Sequence, residues 1–315
     1  MKRRFFGAGI VMILLLFFGL TACGSDSKEE SGENNNSNNQ NNSNNTVELG
    51  NEDITLVSDT YVEATASTYL AKQALEEIGY NVEVTDVDLG PMFASIADGS
   101  GDASLSAWLP TTHSGYWDEY GDDIEEIGTV IDEAPLGLVV PSYMDNIESI
   151  EDIAENKDNI AEELDYTITG VGAGTGQMQI TESDVMPEYG LEDWDLIESS
   201  DAGMTSALGD AIENKEPIVV TLWYPHWAFQ KWDLKLLDDP KNIHGDPDAI
   251  KTIAREGLEE DSPAAYQILS QFHIEIEDNE AVMMDLEKDV DPDEAAQNYL
   301  DENPELMEEW LEGVK

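Results

Sequence analysis

Four short segments concentrate the side chains that could do chemistry. Gly90-Pro91-Met92-Phe93 sets an aromatic ring beside a turn-forming pair, and Trp108-Leu109-Pro110-Thr111-Thr112-His113 spaces an indole and an imidazole five residues apart. Residues 170–178 carry four glycines at alternate positions before Gln177 and Met178, and Trp223-Tyr224-Pro225-His226-Trp227 again joins tryptophan, proline and histidine. Aromatic faces attract cations through the ring quadrupole, although the usual role of tryptophan is core packing. A glycine-rich turn that opens a helix offers N–H groups to a carboxylate or another anion; the plainer alternative is a tight turn. His113 reads as a ligand contact or as a capping histidine. For His226 the preferred reading is a ring that hydrogen-bonds backbone and shapes its turn.

Several chemistries are poorly served. Gln177 stands where a dinucleotide fingerprint would carry its third glycine, and no Gly-Lys-Ser/Thr ending marks a phosphate loop. A hydrolase using His113 or His226 would need a nucleophile, but there is no Gly-x-Ser-x-Gly elbow. Four scattered histidines lack metal-ligand spacing, and no EF-hand loop occurs among the acids. No catalytic residue, metal or cofactor is expected.

The elements that must position these segments alternate between strand and helix. Residues 54–57, 82–84, 103–107 and 136–140 read as strands, and Ala66, Leu70, Ala74, Leu75 and Ile78 mark one face of an intervening helix. Residues 166–171, 196–198 and 218–222 repeat the rhythm, and the chain turns mainly helical from Asp246. This alternation predicts an α/β fold of mostly parallel sheets with helices on both faces. Three of the four segments fall at carboxyl ends of strands, where open α/β sheets place ligands. The proline-bracketed strand at 135–141 and the Asp238-Asp239-Pro240 turn mark two crossings between lobes. The expected division is residues 51–139 and 236–315 in lobe one and residues 140–235 in lobe two, the architecture of hinged ligand-closing proteins.

The amino terminus addresses compartment. Lys2, Arg3 and Arg4 precede an apolar run and Leu20-Thr21-Ala22-Cys23, the pattern of an export leader over residues 1–22. Cys23 is the sole cysteine, and it follows a lipobox-like triplet. A lipid on its sulfur would remove an otherwise stray exported thiol. Residues 23–50 then read as a tether, because nine of the twelve residues 34–45 are asparagine and offer nothing apolar to offset ordering entropy. The chain holds 69 acidic against 14 basic side chains, a net charge of −55. Such a balance argues against nucleic acid, whose phosphates call for Lys and Arg. It suits a protein bathed in salt that screens self-repulsion. A passive surface-charge protein would also fit the acidity, but not the clustered aromatics.

Taken in order, Gly90-Pro91-Met92-Phe93, Trp108 to His113, Leu138-Val139-Val140-Pro141-Ser142-Tyr143-Met144 and Trp223 to Trp227 resemble the glycine-betaine-binding proteins of osmoprotectant ABC importers, the OpuAC-like family. The resemblance runs from about residue 54 to residue 315. It implies a two-lobed, type II periplasmic-binding-protein-like fold with the ligand between the lobes, no enzymatic activity, and a permease and ATPase as partners. It implies an extracytoplasmic location, lipid-anchored through Cys23 on the outer face of the cell membrane, or periplasmic in a two-membrane bacterium. In that family three aromatics box the trimethylammonium group; two match Trp108 and Trp223, and the third, commonly tryptophan, matches Phe93. The carboxylate site matches His113 and the N–H groups of Gly176 and Gln177. Whether Tyr61, Tyr116 or Tyr224 joins the box stays open. Choline, carnitine or a sulfonium osmolyte are the alternative ligands, the short-carboxylate site favouring betaines.

Overall fold

The computed structural model describes residues 47–315 apart from residue 173. The leader, Cys23 and most of the tether lie outside the described residues. Ten strands occur among the described residues: β1 (Asp53–Ser58), β2 (Asn81–Asp86), β3 (Ala103–Leu109), β4 (Ile124–Ala134), β5 (Leu136–Pro141), β6 (Thr167–Thr169), β7 (Asp195–Ile197), β8 (Val220–Trp223), β9 (Leu234–Leu236) and β10 (Asp248–Arg255). They form two five-stranded sheets, ordered β2-β1-β3-β10-β4 and β7-β6-β8-β5-β9.

Each sheet is half parallel. In the first, β1 pairs in parallel with β2 and β3, and β10 is antiparallel to both β3 and β4. In the second, β6 is parallel to β7 and β8, and β5 is antiparallel to β8 and β9. The expectation of mostly parallel sheets is therefore corrected: the strands that enter from the other lobe are laid antiparallel against a three-stranded parallel core. From Asp246 the chain is mainly helical, as read, apart from β10, whose apolar residues Ile250, Ile253 and Ala254 are buried.

The first crossing is short. β4 ends in the first sheet at Ala134 and β5 starts in the second at Leu136, so Pro135 alone separates them. Leu136 to Val139, expected in lobe one, instead pair with β8. Likewise Leu236 pairs with Val139, and the Leu237 N–H bonds the Leu138 carbonyl, so the second crossing lies between Leu237 and the start of β10 rather than at residue 236.

Helix Val62–Glu77 shows why small residues matter in this core. Ala64, Ala66, Ala71 and Ala74 are all buried beside Leu70 and Leu75, a face wide enough to touch the sheet on one side and helices Ile276–Leu286 and Pro292–Glu302 on the other. Helix Leu89–Ala97 buries Met92, Phe93 and Ile96 against Val57 and Ile253 on the opposite face of the first sheet. The carboxyl-terminal helices close that lobe, with Trp310 fully buried and its Nε1 donating to the His273 carbonyl at 2.9 Å. Among the described residues no helix is long and apolar enough to cross a membrane.

Candidate functional site

The carboxyl ends of β1, β3, β6 and β8 face one cavity with about 440 Å³ of free space, part of it open to solvent. Its wall contains Asp59, Tyr61 and Glu63 after β1, and Trp108, Thr112 and His113 from β3 and its loop. The second sheet contributes Leu136, Val171, Thr175, Gly176, Gln177 and Trp223. Five of the six residues expected from sequence at a ligand site thus meet, although their segments are far apart in the chain.

Each is held by a local device. The loop from Trp108 to His113 closes on itself: the His113 N–H donates to the Trp108 carbonyl at 2.9 Å, and the Trp108 N–H donates to His113 Nδ1 at 3.0 Å. The five-residue spacing makes this reciprocal pairing possible. Since Nδ1 accepts, the neutral ring carries its proton on Nε2, which is left to donate elsewhere. Burial pushes the His113 imidazole down to about 3, with Asp248 opposing the shift, so it is neutral near pH 7. Asp248, at the start of β10, pins the same loop by accepting from the Thr111 and Thr112 N–H groups, both at 2.7 Å.

On the facing lobe, Thr175 caps helix Gly176–Ile180 by accepting from the Met178 N–H. Gln177 spends its side-chain amide on the Gly137 and Leu222 carbonyls at 3.1 and 2.9 Å. The Gln177 N–H, like that of Gly176, belongs to the first turn, where no helical carbonyl is available to accept. Glycine at 176 is dictated by contact between lobes: a Cβ there would lie 2.3 Å from the Thr112 carbonyl oxygen.

The aromatic wall differs from expectation at one position. Trp108 and Trp223 line the cavity, each 5% exposed. Phe93 does not line it. It is fully buried, stacks on Tyr116 at 5.3 Å and meets His113 edge-on at 5.8 Å, so it backs the imidazole from behind. The third aromatic at the cavity is Tyr61, perpendicular to Trp223 with centroids 5.7 Å apart. Tyr61 is the residue immediately before helix Val62–Glu77, at the end of β1 where ligands gather in such sheets. That position was the available signal.

Sequence reasoning also missed the acids. Asp59, 2% exposed, accepts from the Tyr61 N–H at 3.0 Å and the Ser106 hydroxyl at 2.9 Å. Burial nevertheless raises its carboxyl to about 6. Glu63, 4% exposed, is pushed well above the usual carboxylate range by burial and then by the neighbouring Asp59 and Asp201 charges. His226 takes the structural role expected of it: Nδ1 accepts from the Ala228 N–H at 3.1 Å, capping helix Trp227–Lys231, and Nε2 meets Asp201 at 3.1 Å. Among the described residues no group of three or more His, Cys, Asp or Glu could hold a metal.

The fold and cleft define a class: a two-lobed ligand-binding protein with an aromatic- and acid-walled cavity where the lobes meet. Residues 52–302 match the substrate binding domain of the ABC-type glycine betaine transport system, and the chain belongs to that family. The glycine betaine/carnitine transport binding protein GbuC of Listeria monocytogenes is 47% identical over 161 residues, which is 50% of this chain and 53% of that protein. The chain thus spans about half the length of that curated relative. Lactococcal OpuAC, solved in a closed conformation with glycine betaine, is 39% identical with a TM-score of 0.75, covering 82% of this chain and 99% of that one. A choline binding protein solved with choline is 25% identical with a TM-score of 0.73, covering 84% and 92% of the two chains.

Proposed function

We propose that this protein captures glycine betaine, or a related betaine, outside the cytoplasm and delivers it to the permease and ATPase subunits of an ABC importer for osmoprotection. One observation carries the reading: Trp108, Trp223, His113, Gly176 and Gln177, drawn from both lobes, line one cavity. A quaternary ammonium has no N–H to donate, so hydrogen bonds cannot grip it, but aromatic faces can. Trp108, Trp223 and Tyr61 supply three, each worth roughly 0.5–2 kcal/mol when desolvated. Micromolar affinity needs about 8 kcal/mol. The balance comes from burial as the lobes close and from charge-assisted bonds to the ligand carboxylate, donated by His113 Nε2–H and the Gly176 and Gln177 N–H groups.

The third cage face is Tyr61 in place of Phe93, because Phe93 is spent on packing. Cys23 carries a lipid that holds the protein to the outer face of the membrane. A second reading has support in Asp59 and Glu63, two acids in a wall without Lys or Arg, which can present a carboxylate to choline, a ligand with net positive charge. Calorimetric titration with glycine betaine, carnitine and choline, repeated on Trp108→Ala and Trp223→Ala, decides. Saturable betaine binding lost in both variants is the expected result. Choline binding without betaine binding selects the second reading, and no binding of any of the three overturns both.

A further inference from the structure

The acids in the cavity wall have a role that cation–π contact alone does not require. Asp59 and Glu63 flank Tyr61 at the amino-terminal end of helix Val62–Glu77, and both line the cavity. Glu63 Oε2 and Trp223 Nε1 are both buried in the same wall without a hydrogen bond of normal geometry, and the indole lies close enough to favour the Glu63 carboxylate, an effect smaller than the burial that opposes it. No Lys or Arg lines the cavity. The charged groups around the pair are acidic: Asp86 on β2 acts on Asp59, Asp201 at the start of helix Asp201–Asn214 acts on Glu63, and Asp88 acts with Asp201 on the intervening Tyr61. Of the histidines, His113 is neutral near pH 7, and His226 already engages Asp201 through Nε2. An ionised carboxylate so enclosed, with no cation of its own chain to answer it, is expensive.

We infer that Asp59 and Glu63 together retain a proton while the cage lacks its ligand, and release it to solvent when a permanent cation enters, so that ligand capture is coupled to proton release. The inference rests on the cation-cage reading above. An O–H bond of the carboxyl pair breaks, the proton passes to buffer, and the carboxylate left behind faces the ligand's quaternary nitrogen. No redox or covalent change in the ligand is involved. Burial of both groups keeps the proton in place in the unliganded protein, the same direction as their upward displacement. The coupling is a charge filter: a neutral molecule of the same shape fills the cage but displaces no proton, and so gains nothing from the pair.

The sign follows from linkage. Because the liganded form binds fewer protons, affinity rises with pH across the range in which the pair is protonated, by up to about tenfold per pH unit for one proton released. The test is calorimetric titration in two buffers of different ionisation enthalpy at pH 6 and pH 8. Glycine betaine, choline and tetramethylammonium are the cationic probes, and 3,3-dimethylbutanol is the neutral counterpart of choline. The expected result is buffer-dependent enthalpy for each cation that binds at pH 6, none for dimethylbutanol, and loss of the buffer dependence in Glu63→Gln. Asp59→Asn is a second variant should Glu63→Gln fail to fold. Tetramethylammonium has no carboxylate, so its binding with proton release supports the coupling even where betaine fails. Cation binding with buffer-independent enthalpy in the unmodified protein overturns the coupling and leaves the cage reading intact. Proton release that survives in the double variant Asp59→Asn/Glu63→Gln, where neither carboxyl remains, comes from a group outside the pair and overturns it as well.

Discussion

Gly176→Ala isolates the contact between lobes. The added Cβ would sit 2.3 Å from the Thr112 carbonyl oxygen, 2.7 Å from its Cγ2 and 3.0 Å from its carbonyl carbon. Ordinary contact begins near 3.4 Å, so about 1 Å of separation must be found. Neither side yields readily. Thr112 is fixed through its own N–H and that of Thr111 to Asp248, and the Gly176 turn is fixed through Gln177 to β5 and β8. The lobes must therefore part, which withdraws the Gly176 and Gln177 N–H groups from a carboxylate held against His113. Losing one charge-assisted bond costs about 1.5–3 kcal/mol, or roughly a 10- to 100-fold rise in Kd. Titration with glycine betaine measures it, and small-angle scattering should show a smaller ligand-induced compaction. Gly172→Ala is the control from the same turn, since its Cβ would meet nothing nearer than 3.8 Å; its affinity should stay within about twofold. A Gly176→Ala protein that binds within twofold of the unmodified one would refute the reasoning.

Three further outcomes are expected. Phe93→Trp should lower stability by about 1–3 kcal/mol through overpacking without tightening betaine binding, whereas Tyr61→Ala should weaken binding about tenfold, a little over 1 kcal/mol for a lost cation–π face; denaturant titration and calorimetry separate the two. For His113, the folded ring binds its proton far more weakly than the unfolded one, so its contribution to stability falls as pH drops below the unfolded value near 6.5. The stability difference between the protein and His113→Gln should therefore shift by about 2 kcal/mol against the unmodified protein from pH 7 to pH 5, and no shift would contradict a neutral buried ring. With 69 acidic and 14 basic side chains, the thermal midpoint should rise from low salt to about 1 M, where the Debye length falls to about 3 Å; an unchanged midpoint would count against charge repulsion as a limit on stability.

The sequence was informative where chemistry follows from local pattern. Strand ends followed by Trp-x-Pro and a glycine turn indicated the cavity, and the Trp108–His113 spacing corresponds to a loop that closes on itself. It was uninformative where the answer depends on which way a side chain faces. Phe93 lies in a helix whose Met92 and Ile96 also point to the core, so its ring is taken by packing. Residues 136–140 form an apolar run with no period, and nothing local says which sheet receives it. β10 went unseen because Lys251 and Arg255 interrupt its apolar residues, and its partners β3 and β4 lie far back in the chain. Asp59 and Glu63 were lost among 69 acids, since composition does not report burial.

The place of β10 between β3 and β4 in the first sheet has a consequence for the order of assembly. Ile250 pairs with Trp108, and Arg255 with Ile124, so the strands on either side of β10 wait for a segment synthesised after the entire second sheet. The second lobe is one continuous stretch and can gather locally, whereas the first needs a late, long-range closure, the slow kind of step in folding. Until it occurs, β3 and β4 each present an open edge, a hazard for association with other chains. The tryptophan on β3 thus reaches its final setting among the last of the cage residues, and substitutions in β10 should reduce the yield of folded protein even where they leave the affinity of the survivors untouched.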